Sequence, residues 1–278
     1  MDIPIGLCTY SEGATATELV AYAKRLEKLG YSSLWLPEIM GREPFATCGY
    51  LLANTQTLHV NTGIANVYVR DANTAAQGRN TLSELSGGRF SLGLGVSHPS
   101  LVEPRGHQWQ SPVSKMRQYL EDIDNAVVEA PTADRPAPII IAAHGPQLLQ
   151  LADERADGVL MYMQPCDAIT NARKILKETK QIHVVVRCVR ADSREQARAI
   201  ARKALAFYIN LPAYHRAWSR LGYEESDWRN GGSNRLIDGI CACGNTDYIR
   251  DYLSSIEEAG ANQILLSPLH PEEHYDEE

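Results

Sequence analysis

Residues 86–100 read Ser-Gly-Gly-Arg-Phe-Ser-Leu-Gly-Leu-Gly-Val-Ser-His-Pro-Ser, "SGGRFSLGLGVSHPS". A turn signal at Ser86-Gly87-Gly88 leads into a run in which Phe90, Leu92, Leu94 and Val96 alternate with Ser91, Gly93 and Gly95. That is the period of two that marks a β-strand, here with one bulky and one slim face. A dinucleotide-binding strand would need a third glycine opening a helix, and positions 98 and 99 are His and Pro instead. In a barrel clad in helices, bulky residues pack outward and small ones face the lumen. The stretch therefore predicts a barrel stave, with His98 just past its C-terminal end, where barrel enzymes keep their chemistry.

The rest of the chain agrees. Strand-like runs at Ile3–Cys8, Ser33–Leu36, Leu58–Ile64, Arg89–Val96, Pro138–Ala142, Gly158–Met161, His183–Val189 and Gln263–Ser267 alternate with helical periodicity. Eight such strands close a barrel, and 278 residues suit one. Leu19, Ala23, Leu26 and Leu29 share one helical face; Ser111-Pro112 opens another helix; Asp192 and Glu195 have capping-box spacing. The expected architecture is α/β, a (β/α)8 TIM barrel spanning 1–269, with a short helical insertion at about 211–240 between strands seven and eight. Only "PLHPEEHYDEE" follows the last strand. The eighth helix is therefore expected to be absent or replaced, so that either the barrel has an exposed seam or a partner subunit covers it; a homodimer is the expected assembly, and 270–278 is expected to be a disordered acidic tail.

Composition narrows the partners. A net charge of -7 with no basic block argues against nucleic acid, and no apolar run nears the roughly 20 residues that span a bilayer. The six scattered cysteines (Cys8, Cys48, Cys166, Cys188, Cys241, Cys243) lack the paired spacing of a zinc site and are expected to be reduced thiols of a cytoplasmic protein. His270-Pro-Glu-Glu-His274 fits an inverted zinc-protease string, but its proline prevents the helix that would align both imidazoles. No metal is expected, and a small organic molecule is the expected substrate.

Candidate site residues gather at predicted C-terminal strand ends. His98 can move protons near neutral pH, and Glu38 stands in the matching place after strand two. Ala142-Ala-His-Gly-Pro-Gln-Leu148 opens a helix whose first amides, on Gly145, Gln147 and Leu148, suit an anion. Arg187 interrupts an apolar strand, either to reach the rim or to meet an anionic ligand, and Tyr162, Tyr208, Tyr214 and Trp218 are candidates for a substrate wall.

The ordered set "LVAYAKRLEKLGYSSLWLPE", "TGIANVYVRDANTAAQ", "LSELSGGRFSLGLGVSH", "IIIAAHGPQLLQLADERADGV" and "IEEAGANQILLSPL" resembles the luciferase-like monooxygenase superfamily from Ile3 to about Leu269. The resemblance implies a barrel that binds a flavin or the deazaflavin coenzyme F420 at its C-terminal face. "GLGVSH" and "AAHGPQ" look most like the F420-dependent branch, which exchanges hydride at the ring carbon that replaces flavin N5. It further implies a cis peptide at Gly63-Ile64, with Gly63, Ile64 and Ala65 against the ring and Val96, Ser97 and His98 at its edge. Ala143, His144, Gly145, Pro146, Gln147 and Leu148 would hold the phosphate-bearing tail. Sugar-phosphate dehydrogenases of this branch carry Asp-His after strand two and Glu after strand four. Here those places read Pro37-Glu38 and His98, so the acid and the imidazole have exchanged sides. The resulting expectation is an F420-dependent oxidoreductase with His98 as proton donor or acceptor and Glu38 as its partner or the substrate's orienter. The rivals are an FMN-dependent monooxygenase and a non-catalytic cofactor-binding subunit.

Overall fold

The computed structural model describes residues 2–269; the predicted acidic tail and the His270–His274 string lie outside the described residues. In chain order come β1 (Ile5–Cys8), α1 (Ala16–Lys28), β2 (Ser33–Leu36), α2 (Pro44–Asn54), β3 (His59–Thr62), β4 (Ala65–Asn66) and α3 (Ala72–Leu85). Next are β5 (Leu92–Gly95), α4 (Pro99–Val102), α5 (Pro112–Asp124), β6 (Ile139–Ala142), α6 (Pro146–Arg155), β7 (Gly158–Tyr162), α7 (Cys166–Ile175) and β8 (Gln181–Arg190). The chain closes with α8 (Arg194–Ile209), α9 (Pro212–Ser219), α10 (Glu225–Trp228), α11 (Asn234–Ile240), β9 (Cys241–Gly244), α12 (Thr246–Glu258) and β10 (Gln263–Pro268).

All pairings are parallel, in the order β3-β2-β1-β10-β8-β7-β6-β5-β4. The two ends of this path, β3 and β4, are one stave broken at the Gly63-Ile64 peptide, which is cis. Bonds from Val60 N–H to the Arg89 carbonyl and between Thr62 Oγ1 and the backbone of Gly93 join β3 to β5 and complete the ring. The eight staves are thus a (β/α)8 barrel. The 211–240 stretch holds α9, α10 and α11, but it does not lead straight to the last helix and strand. It runs into β9, a strand absent from the sequence expectation, which takes over the edge of β8 at Arg187–Arg190 once β7 has left it.

Strand alternation sorts side chains into two cores. Leu34, Leu36, Leu92, Leu94, Ile139, Ile141, Val159, Met161, Val184, Val186 and Ile264 pack outward against the helices. Inside, Trp35, Ile140, Leu160, Val185 and Leu265 fill the middle of the lumen. Beneath them Gln263 bonds Ser32, Ser33 and His183, and the Trp35 indole donates to Ser33 Oγ. Polar groups that deep survive because each finds a partner. Gly93 is required by a close approach: a Cβ there would overlap the Thr62 carbonyl and press on the Trp35 ring.

Some local expectations shift by a residue. Helix α1, opened by a Thr15/Glu18 capping box, buries Leu19, Ala23 and Leu26, but Leu29 is its C-cap, beyond the buried stripe, and is 63% exposed. Helix α8 is capped by Ser193, bonded to Gln196 N–H, rather than by Asp192. All six cysteines are free thiols. Among the described residues, no helix is long and apolar enough to cross a membrane, and no cluster of His, Cys, Asp and Glu could hold a metal ion.

Candidate active site

One side of the barrel mouth is closed by ion pairing. Glu38, just past β2, accepts two hydrogen bonds of 2.7 Å from Arg70, and its Oε2 also takes the Asn66 N–H of β4. Both side chains are 11% exposed, and Arg70 extends to Glu43 at 2.8 Å. Glu38 N–H in turn bonds the Ile64 carbonyl. Glu38 is therefore a clamp on the chain that follows the cis peptide, its backbone N–H on Ile64 and its carboxylate on Asn66. Its hydrogen bonds go to Arg70 and Asn66, and none goes to His98 among the described residues.

The opposite side leaves its polar groups open. Past β5 the chain enters the left-handed region at Ser97 (φ 61), and His98 becomes the N-cap of α4 without a side-chain cap bond. Past β7 the same happens at Met163 (φ 53). Non-glycine residues held in that region concentrate at functional sites. The rings of His98 and His144 lie 5.9 and 5.4 Å from the Tyr214 ring, which stacks on Trp218 at 5.6 Å. Burial lowers the His98 pKa below its ordinary 6.5. Burial, with His98 nearby, takes His144 down to about 4. Both imidazoles are therefore neutral near pH 7, able to accept or relay a proton.

His144 leads into α6, whose N-cap Gly145 provides no side chain and whose first residue, Pro146, needs no N–H partner. Facing that helix start is Arg220, the C-cap of α9, with Nη1 3.5 Å from where a Cβ on Gly145 would stand. Arg220 has no ion-pair partner among the described residues. A cleft of about 190 Å³ opens here, lined by His144, Pro146, Gln164, Ala217 and Arg220 among others. His144 Nδ1 and Gln164 Oε1 are buried and bonded to nothing. A helix N-terminus with open amides beside the Arg220 guanidinium fits a ligand that carries a phosphate, while Gln164 Oε1, an acceptor whose Nε2 is spent on the Tyr162 and Met163 carbonyls, suits a donor group on such a ligand.

The floor between these two sides is narrow. Ile64 reaches the inner core with Cys8, Trp35 and Tyr162, and a Cβ on Gly95 would press on Ile64 at 2.5 Å. Ala65, Val96, Ala143 and Leu148, by contrast, turn their side chains into the outer helix layer, so only their backbones reach the mouth. Gln147 is exposed and offers its amide at the helix start. Tyr162, Tyr208 and Tyr214 pack around Arg187 with Tyr10. Trp218 is wholly buried; its indole donates to the Met163 carbonyl at 2.9 Å, so it supports Tyr214 from behind and is no part of a wall. Sequence reasoning passed over Tyr10, Gln164 and Arg220. Tyr10 and Gln164 each stand two residues past a strand end and were findable by position, whereas nothing local distinguishes Arg220.

A barrel mouth with a slim floor, an anion-ready helix start and two neutral imidazoles has known counterparts. A family model described as luciferase-like monooxygenase matches residues 4–263. The chain belongs to this family. The luciferase-like chain is 24% identical over 297 residues to 5,10-methylenetetrahydromethanopterin reductase of Methanolobus tindarius, with 91% of each protein covered. Its fold matches an F420-dependent secondary alcohol dehydrogenase solved with an F420-acetone adduct at a TM-score of 0.79 and 15% identity, covering 96% of this chain and 94% of that one. It also matches the oxygenating constituent of 3,6-diketocamphane monooxygenase from a Pseudomonas putida plasmid, solved with FMN, at 0.69 and 14%, covering 98% and 93%. This luciferase-like protein is thus an oxidoreductase of its family.

Proposed function

We propose that this protein transfers a hydride between coenzyme F420 and a small organic substrate at the C-terminal face of the barrel. The observation that carries the reading is the pairing of the slim floor at Ile64 and Gly95 with the open α6 N-terminus and its unpaired Arg220. A flat ring fits above the first and a phosphate fits against the second. The cofactor supplies the hydride chemistry, and the chain supplies orientation and proton control. The amides of Gln147 and Leu148 and the Arg220 guanidinium would hold the cofactor's phosphate, and the backbone at Gly63 and Ser97 would support its ring. His98 accepts or donates the proton that accompanies hydride transfer at its neutral imidazole. Glu38 acts at one remove, holding the chain at Ile64 and Asn66 in place.

FMN is the second reading, favoured by the FMN-bound structural neighbour and by a phosphate site that does not distinguish the two tails. Titrating the cofactor-free protein with each compound and following fluorescence quenching separates them: F420 should bind more tightly, and tighter FMN binding reverses the assignment. In the F420-loaded enzyme, His98→Ala should lower kcat by about a hundredfold or more while changing cofactor affinity little. Equal losses in both would remove His98 from the chemistry.

A further inference from the structure

Arg187 stands inside the mouth, at the top of β8, and is only 6% exposed. Its Nη1 donates to Ser267 Oγ on the neighbouring β10 at 2.8 Å, and its Nε is buried with no partner. No carboxylate bonds it among the described residues. What surrounds the guanidinium is neutral: Tyr162, Tyr208, the Cys8 thiol and the Tyr10 ring, whose centroid lies 5.9 Å from Cζ. Burial pushes the Cys8 thiol up to about 12 and holds the Tyr10 and Tyr162 hydroxyls above their ordinary value, so none of these neighbours supplies an anion near neutral pH. Burying a cation without a counter-charge is costly, and an anionic ligand placed against it offsets that cost.

We infer that Arg187 is an anion subsite for the substrate, and that the substrate carries a carboxylate. With Nη1 spent on Ser267, the guanidinium edge formed by Nε and Nη2 is the one a carboxylate grips with two parallel bonds. A neutral carbonyl leaves the charge uncompensated until hydride arrives, whereas a carboxylate compensates it on binding. Tyr10 and Tyr208, joined hydroxyl to hydroxyl at 2.6 Å, bridge the loop after β1 to the end of α8 and are half-buried over the guanidinium. Opening that one bond exposes Arg187, and the freed hydroxyls become donors to the bound carboxylate. This subsite is separate from the cleft at Arg220: one takes the substrate's charge, the other the cofactor's phosphate. The inference deepens the proposed function by naming the substrate class and rests on the same barrel mouth as its site.

The test uses the full chain without cofactor, so its failure leaves the F420 reading standing. The probes are acetate, benzoate and the neutral benzamide. With 15N in the arginine side chains, one Nε–H resonance that exchanges slowly with water should disappear in Arg187→Lys. In the wild-type protein it should shift on adding benzoate or acetate and stay fixed with benzamide. Benzoate affinity, read from tyrosine and tryptophan fluorescence, should fall at least tenfold in Arg187→Met, less in Arg187→Lys, and less than twofold in Arg220→Met. The inference is overturned if the resonance ignores both carboxylates, if benzamide moves it as far, or if Arg220→Met abolishes benzoate binding. Should Arg187→Met fail to fold, the wild-type resonance and Arg187→Lys decide alone.

Discussion

On the side of the mouth built by β2, β4 and α3, Arg70 grips Glu38 through two bonds of 2.7 Å and reaches Glu43 as well. On the side built by β8, α6 and α9, neither Arg187 nor Arg220 meets a carboxylate among the described residues. The residue type is the same and the rim is the same, but the two sides differ in who supplies the negative charge. Where the chain supplies it, the arginine is architecture and holds Glu38 on the backbone of β4. Where the chain withholds it, the arginine is the one that the proposed function and the further inference assign to a ligand.

Breaking the paired side should have the largest effect. Arg70→Met leaves Glu38 desolvated and unpaired, and should cost about 3 kcal/mol of stability in urea unfolding. Adding Glu38→Gln to that variant should recover at least half. If the double variant is no more stable than the single one, the pair is not the source of the loss.

A slightly smaller effect compares two buried histidines. Burial lowers His183, in the lumen floor, to about 4 despite its bond to Gln263, and burial lowers His144 to about 4 as well. Unfolded imidazoles titrate near 6.5, so between pH 6.5 and 4 the unfolded chain binds more protons than the folded one. Their contribution is complete above pH 6.5 and is lost as pH falls to 4, by roughly 2.5 kcal/mol for each. His183→Gln and His144→Gln should each flatten the stability profile in that window; unchanged slopes would remove the two imidazoles as its cause.

The unpaired side should respond in binding and hardly in stability. Arg220→Met should change unfolding free energy by less than about 0.5 kcal/mol and weaken inorganic phosphate or F420 about tenfold in calorimetry. A stability loss as large as that of Arg70→Met would make Arg220 architectural too. The smallest effect separates the histidines again. Phosphate bound beside α6 should raise the His144 pKa by roughly half a pH unit in NMR titration, because a nearby anion favours the imidazolium, and leave His183 unmoved.

Much of this was legible in the chain because period-two alternation is a local property. The eight staves follow from it, as do the outward Leu92 and Leu94 and the slim Gly93 and Gly95. β9 escaped because Cys241-Ala-Cys-Gly244 is four small residues directly after α11, without turn residues or bulky alternation. At the barrel mouth, His98 and His144 stand out in the sequence by their position after strand ends, and Arg187 as a charge within an apolar strand. The Glu38–Arg70 clamp does not, and Glu38 was paired in expectation with His98, because nothing between residues 38 and 70 announces the contact.

The sequence by itself determined the barrel and the start of α6 at Gly145-Pro146, since each depends on spacing within a few residues. Only the tertiary structure decided which charges are paired within the chain and which are not. That depends on where segments far apart in the chain come to rest: Arg70 against Glu38, Arg220 against Gly145, and Arg187 against nothing but neutral side chains. Charge compensation is a property of three-dimensional neighbours, and no one-dimensional pattern encodes it.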